Sequence, residues 1–232
     1  MNVLLIGSSG GIGAALATQL QRRWPEVNLF CASRSGAGGS DQVDLSRQQS
    51  VAALATSVAA RVGKLDWLIN ATGTLHSDNW QPEKQLKDLD HSPMMELYKT
   101  NTVGPMLLAR YFMPLLTHGA PSVFATLAAR VGSISDNRKG GWYSYRMSKA
   151  ALIMGIRTLA IESARRAPNL TCIALHPGTV ATELSAPFQR NVPDAQLFTP
   201  ERSANHLLDV IQSLTPQQSG KHLAWDGQEI PE

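Results

Sequence analysis

Tyr145 and Lys149 stand four residues apart, a spacing that places both side chains on one face of a helix. A free tyrosine, with a pKa of about 10, is a poor proton donor or acceptor at neutral pH. A nearby ammonium favours the phenolate and lowers that pKa toward a useful value, so the pair is a candidate proton-transfer unit. Tyr143 has Met147 at the same spacing and lacks such a partner. Tyr-x-x-x-Lys is common on amphipathic helices, and its meaning depends on what the rest of the chain supplies.

A second chemical feature lies near the start, in Gly7-Ser8-Ser9-Gly10-Gly11-Ile12-Gly13. Glycines at such a turn let the backbone bend sharply and approach a pyrophosphate, whose charge a helix N-terminus favours. The spacing is Gly-x-x-x-Gly-x-Gly, not the commoner Gly-x-Gly-x-x-Gly, but the context is the one that dinucleotide binding requires. The apolar run at 3–6 reads as a buried strand before the turn, and Ile12, Leu16 and Leu20 form a helix stripe after it. A second strand at 27–32 ends in Ala32-Ser33-Arg34-Ser35, with no acid before Asp41. An acid at that place would bind the ribose hydroxyls of NAD, whereas Arg34 offers a forked contact to a 2′-phosphate. NADP(H) is therefore favoured over NAD(H), with an ordinary surface arginine as the other reading of Arg34.

The elements that must position these residues alternate from end to end. A short strand is expected at 42–43, a helix at 46–62, a strand at 65–70 and a polar stretch at 74–92. The span 94–117 reads as helix, with Pro105 marking a kink or boundary. Strands follow at 122–127, 170–175 and 222–225, and helices at 143–166 and 200–214. Parallel strands need crossover helices, so the pattern predicts an α/β fold: a doubly wound parallel sheet of about seven strands with helices on both faces. No composition break divides the chain, and residues 1–232 read as a single Rossmann-fold domain.

Composition narrows the function classes. The chain has 232 residues, 43% of them hydrophobic, enough to build a core without staples. The 21 Lys and Arg against 18 Asp and Glu leave +3, scattered with no basic cluster longer than two, which argues against a nucleic-acid groove. Cys31 and Cys172 lie in apolar runs without Cys-x-x-Cys spacing and read as small buried side chains. No stretch approaches the roughly 18 apolar residues of a membrane span, and no signal peptide opens the chain, so a cytoplasmic protein with no membrane contact is expected.

Taken in order, Gly7-x-x-x-Gly11-Ile12-Gly13, Asp44-Leu45, Asn70-Ala71-Thr72-Gly73, Asn101, Tyr145-x-x-x-Lys149 and Pro177-Gly178-Thr179-Val180-x-Thr182 resemble the short-chain dehydrogenase/reductase family over essentially the whole chain. Gly132-Ser133-Ile134 and Gly140-Gly141-Trp142-Tyr143-Ser144-Tyr145-Arg146 are similar to a subgroup of small carbonyl reductases and C-factor-like signalling proteins. The resemblance implies roles for these residues. Tyr145 would pass a proton to a carbonyl oxygen as hydride leaves the nicotinamide. Lys149 would hold the nicotinamide ribose and depress the tyrosine pKa, and Asn101 would hold a water linking Lys149 to solvent. Gly7, Ser9, Gly11, Ile12 and Gly13 would form the pyrophosphate turn, and Asp44 and Leu45 would contact adenine. Asn70, Ala71 and Gly73 would line the cofactor's path, while Pro177, Gly178, Val180 and Thr182 would close over the nicotinamide. No metal is implied, and a homodimer or homotetramer is expected.

The chain also departs from the family pattern. Ile6 stands where threonine is frequent. The family's serine, usually about 13 residues before the tyrosine, falls on Gly132; Ser133 is the nearest hydroxyl, with Ser135 as alternative. Aligned on the strand end instead, Ala128 and Ala129 occupy the place of a Ser-Ser pair. Ser133 is taken here as the donor to a substrate carbonyl. The substrate is expected between the cofactor and residues 183–199, where Leu184, Phe188, Val192, Leu197 and Phe198 are apolar, with Trp142 either bordering the pocket or packing. Two functions follow: an NADPH-dependent enzyme transferring hydride between the nicotinamide and a small carbonyl/alcohol substrate, or a C-factor-like signalling or regulatory protein with little turnover.

Overall fold

Apolar runs in this chain become parallel strands because helices cover them on both sides. The computed structural model describes residues 1–232. Its elements are β1 (Asn2–Ile6), α1 (Gly11–Arg23), β2 (Asn28–Ser33), β3 (Asp41–Gln42), α2 (Gln48–Arg61) and β4 (Trp67–Asn70). After these come α3 (His91–Tyr98), α4 (Gly104–Leu116), β5 (Ser122–Leu127), α5 (Tyr143–Arg166) and β6 (Leu170–His176). The chain continues through β7 (Thr179–Val180), β8 (Leu197–Phe198), α6 (Pro200–Ser213) and β9 (His222–Ala224). Seven strands form one parallel sheet in the order β3-β2-β1-β4-β5-β6-β9, the doubly wound Rossmann arrangement expected from the sequence.

Alternation along β1 shows how the sheet is covered. Leu4 and Ile6 face a core that Val51, Leu108, Phe112, Leu152 and Ile156 complete from α2, α4 and α5. Val3 and Leu5 face the other core, closed by Leu16 and Leu20 of α1 and by Leu207, Leu208 and Ile211 of α6. The register pairs Ile6 with Ala32 and Asn70, and Asn70 with Thr126, so the strands end together. The chain reverses its winding between β1 and β4, and the crevice at those carboxyl ends is where such sheets bind ligands.

The helix expected over 94–117 is divided. Between α3 and α4 lies a π-helical segment, Lys99–Val103, in which the Gly104 amide bonds back to Lys99. Pro105 follows directly; it has no N–H to donate, and the backbone accommodates it with a wider turn. The small parallel pair β7–β8 was not anticipated, and β3 sits one residue earlier than expected.

One pair of histidines, His222 buried and His176 partly so, has a consequence for stability. His222 lies beside Ala174 and His176 beside Ala224, so both rings point to the α5 face of the sheet. Neither His222 nitrogen has a hydrogen-bond partner, nor does Nδ1 of His176. Burial brings His176 down to about 3, helped by His222 and Arg130 and opposed by Asp226. Burial likewise brings His222 down to about 4, with Arg130 and Lys149 adding to it. Both rings are neutral in the fold, and the unfolded chain takes their protons first, below its ordinary value of about 6.5. Their contribution is intact above that value and is lost as pH falls through the window from about 6.5 toward 4. At pH 5.5 the pair should remove about 3 kcal/mol of stability relative to pH 7.5. Urea unfolding at the two pH values measures this, and His222→Phe should reduce that fall by about half.

Candidate active site

At the carboxyl end of the sheet, the turn after β1 is built around absent side chains. Gly7 has φ +85° and donates its N–H to Ala32 at 2.7 Å. A methyl on Gly13 would overlap the Gly7 carbonyl oxygen, and one on Gly11 would stand 2.7 Å from Thr182 Cγ2. The turn is therefore closed from beneath by its own backbone and from above by Thr182. Helix α1 begins here with no side-chain cap and no acid in its first turn, which leaves its amides available to an anion. Ser9 is exposed, and Ile12 is half-buried against the core.

Arg34 follows β2 directly, exposed and without an ion-pair partner. The Asp44 carboxylate accepts from Ser46 N at 2.9 Å and Ser46 Oγ at 2.7 Å. The Ser46 hydroxyl chiefly holds it below the usual carboxylate value, with smaller help from Arg47 and Arg34. Leu45 is buried, and a methyl on Gly104 would stand 2.8 Å from its Cβ, so its side chain belongs to the core. Asn70 ties β4 to β5 through Thr126 Oγ1 at 2.9 Å and receives Thr72 N and Oγ1. Ala71 donates to Ile6 O, which leaves Gly73 as the exposed point of this strand end.

The residues expected to transfer a proton meet at the start of α5. Lys149 Nζ donates to Leu127 O at 2.9 Å and stands 5.9 Å from the Tyr145 ring centroid. Asn101 sits in the π segment, where its amide clasps both backbone groups of Thr74 at 2.9 Å and donates to Ser148 Oγ at 3.1 Å. A methyl on Gly73 would lie 3.5 Å from Lys149 Nζ and 3.6 Å from Asn101 Oδ1, so these groups share one corner. The expected lowering of the phenol by the ammonium is not what this geometry yields. Burial pushes the Tyr145 phenol above its ordinary value and brings the Lys149 ammonium down to about 8. The lysine's charge is directed at a carbonyl, and desolvation outweighs its pull on the phenol. The phenol is thus protonated at neutral pH.

Around it lies an apolar cleft. Tyr145 packs in a cluster with Leu75 and Leu97, against which lie Trp80, Ala129, Val131, Trp142, Leu184 and Phe188. Trp142 meets Tyr145 at 6.1 Å and Phe188 at 4.9 Å between ring centroids. Trp142 therefore borders the cleft. The Tyr145 hydroxyl is not among the buried polar atoms lacking a partner, and no protein group bonds to it, so it opens into the cleft.

Of the five apolar residues expected at the substrate, Leu184 and Phe188 reach this cleft. Phe198 packs instead on Trp225 and His206, beneath Gly178, while Leu197 pairs with Thr179. Val180 is buried, and Ser203 Oγ holds the Pro177 carbonyl at 2.8 Å. Ser133 has a different engagement from the one expected. Its hydroxyl donates to Pro231 O and accepts from Asp136 N, and Ser135 N bonds to Glu232 O. The hydroxyl hydrogen is committed to the chain's last residues, so a bond from Ser133 to a substrate oxygen is not prepared. Two pocket residues escaped the sequence reading. His76 Nε2 meets Leu184 O at 3.1 Å and bridges the two loops over the cleft, and Glu83 packs at the start of α5. Neither belongs to a motif; both are brought in by long-range folding.

Comparison with known proteins agrees with this architecture. The chain is 34% identical over 231 residues to 1-hydroxy-2-glutathionyl-2-methyl-3-butene dehydrogenase of Rhodococcus sp. (strain AD45), covering 97% of this chain and 96% of that protein. It is 36% identical over 179 residues to C-signal of Myxococcus xanthus, covering 77% of this chain and 98% of that one. The NADPH-bound carbonyl reductase from chicken fatty liver superposes with a TM-score of 0.85 at 26% identity, over 100% of this chain and 98% of the other. The family described as short chain dehydrogenase matches residues 1–193. With the turn, the sheet and the Tyr145–Lys149 helix in place, this chain belongs to the short-chain dehydrogenase/reductase family of oxidoreductases, near its carbonyl reductase and C-factor subgroup.

Proposed function

We propose that residues 1–232 act as one domain, an NADPH-dependent reductase moving hydride between the nicotinamide and a small carbonyl or alcohol, with Tyr145 as the proton donor. The observation that carries this is the unpartnered Tyr145 hydroxyl opening into an apolar cleft beside the buried Lys149. The residues fit a dinucleotide. Gly7, Ser9, Gly11, Ile12 and Gly13 form a cradle that a methyl would fill, under a helix N-terminus without a cap. Arg34 is free to pair with a 2′-phosphate, next to the Asp44-Leu45 turn at the adenine end. Asn70, Ala71 and Gly73 flank the path to the nicotinamide, with Pro177, Gly178, Val180 and Thr182 above it. When bound, the cofactor supplies the hydride. The chain's part is to hold Lys149 toward the ribose from the Leu127 carbonyl, to fix the start of α5 through Asn101 and Ser148, and to present the protonated Tyr145 phenol to the apolar cleft. A homodimer or homotetramer is supported by Met147, Met154 and Ile161, exposed at intervals of seven along α5.

NADPH consumption on a panel of aldehydes, ketones and diketones tests this reading, together with NADP-dependent oxidation of the alcohol named for the Rhodococcus relative. Arg34→Ala should raise KM for NADPH by at least about tenfold and leave KM for NADH unchanged. Equal use of both cofactors by the parent protein would argue against the role of Arg34. A second reading, a signalling or regulatory protein, is favoured by one observation, the commitment of the Ser133 hydroxyl to Pro231. Tight NADPH binding without turnover on any of these compounds would favour it.

A further inference from the structure

Glu83 is buried, 6% exposed, and has no cationic partner. A carboxylate taken out of water needs hydrogen bonds or a positive field to remain there. Glu83 finds both at the first turn of α5, where Oε2 accepts from Ser144 N at 3.2 Å and Oε1 from the Ser144 hydroxyl. Helix α5 has no other side-chain cap, because Trp142 precedes it. The Glu83 backbone acts on the same turn, its carbonyl accepting from Trp142 N at 2.6 Å. Trp142 is the only non-glycine residue with positive φ, at φ 52° and ψ 43°. Such a conformation persists where surrounding structure holds it, and it turns the indole toward Tyr145 and Phe188. The loop that presents Glu83 is itself fastened, since Asp88 Oδ2 accepts from Lys84 N and Gln85 N.

We propose that Glu83 is a positioning residue for Tyr145. Its carboxylate caps α5 one residue before the phenol-bearing position, and its carbonyl fixes the aromatic wall that the phenol packs on. This rests on the reductase reading only for its kinetic consequence. Glu83→Ala should lower kcat for NADPH-dependent carbonyl reduction by about 10²-fold, the scale of a misplacement near 1 Å, with KM for NADPH unchanged. Glu83→Gln keeps an acceptor oxygen and should stay within about two- to fivefold of the parent. Hydrogen exchange at the Ser144 and Tyr145 amides should quicken in Glu83→Ala and not in Glu83→Gln, while exchange in α6, across the sheet, stays as in the parent and reports an intact fold. Should Glu83→Ala fail to fold, Ser144→Ala removes one of the two bonds and should lower kcat by about tenfold. A loss confined to KM for NADPH, or exchange at Ser144 and Tyr145 equal to the parent's, overturns the proposal. A parent protein without turnover on any carbonyl overturns the reductase reading instead, and the exchange result then decides Glu83 alone.

Discussion

Tyr145→Phe is expected to lower kcat for carbonyl reduction by about 10³-fold while leaving the fold and NADPH affinity as they are. The hydroxyl bonds to no protein group, so its removal breaks no internal contact. The ring keeps its place among Leu75, Leu97 and Trp142. Stability should therefore stay within about 0.5 kcal/mol of the parent. The catalytic loss is large because no other hydroxyl is placed to give the proton, since Ala129 carries none and that of Ser133 is bound to Pro231, while the Lys149 ammonium is turned to the Leu127 carbonyl. NADPH consumption, with unfolding midpoints in parallel, measures both halves of the prediction. Turnover surviving in the phenylalanine protein would remove Tyr145 from the mechanism.

Gly13→Ala is expected to be the most damaging single methyl in the chain. The added carbon would overlap the carbonyl oxygen of Gly7 and crowd Ser8 Cα at 3.1 Å. Both neighbours are backbone, so no side chain can rotate away, and Gly7 is itself held by its bond to Ala32. Relief requires moving the strand-to-helix turn, at a cost of about 3 kcal/mol or more, and NADPH binding should disappear with the cradle. Gly63→Ala is the control: a methyl there meets nothing within 4 Å, and the change should be neutral or stabilise by up to about 1 kcal/mol. Urea unfolding and NADPH titration of the two variants separate crowding from a general effect of replacing glycine. A Gly13→Ala protein as stable as the parent would refute the account of the turn.

What was legible in the sequence was local. Tyr143–Arg166 has the bounds its residues predict because its helix signals lie within it, and the doubly wound parallel class follows from the alternation of strands and helices, whereas the strand order comes from the structure. The turn at 7–13 was legible because glycine there answers a steric demand of neighbouring residues. The rest depends on partners far along the chain. Glu83 meets Ser144 across 61 positions and Ser133 meets Pro231 across 98, and no periodicity reports such contacts. Phe198 and Phe188 look alike as apolar loop residues, but the β7–β8 pairing directs one toward Trp225 and leaves the other in the cleft. The effect of Lys149 on Tyr145 departs from what spacing predicts for a related reason. Spacing indicates which side chains share a helix face, whereas the charge balance depends on burial and on the Leu127 carbonyl.

The π segment at Lys99–Val103 joins two helical faces that are out of phase. Each residue of an α-helix turns the chain by about 100°. A single-residue deletion would restore regular bonding from α3 into α4. It would also swing Asn101 away from Thr74 and Ser148, or else carry Leu108, Phe112 and Leu116 out of the core. The segment is thus a phase adjustment set between the polar corner around Asn101 and the core stripe of α4. It decouples the two halves, so that the polar corner and the core stripe are both seated without sharing one helical phase.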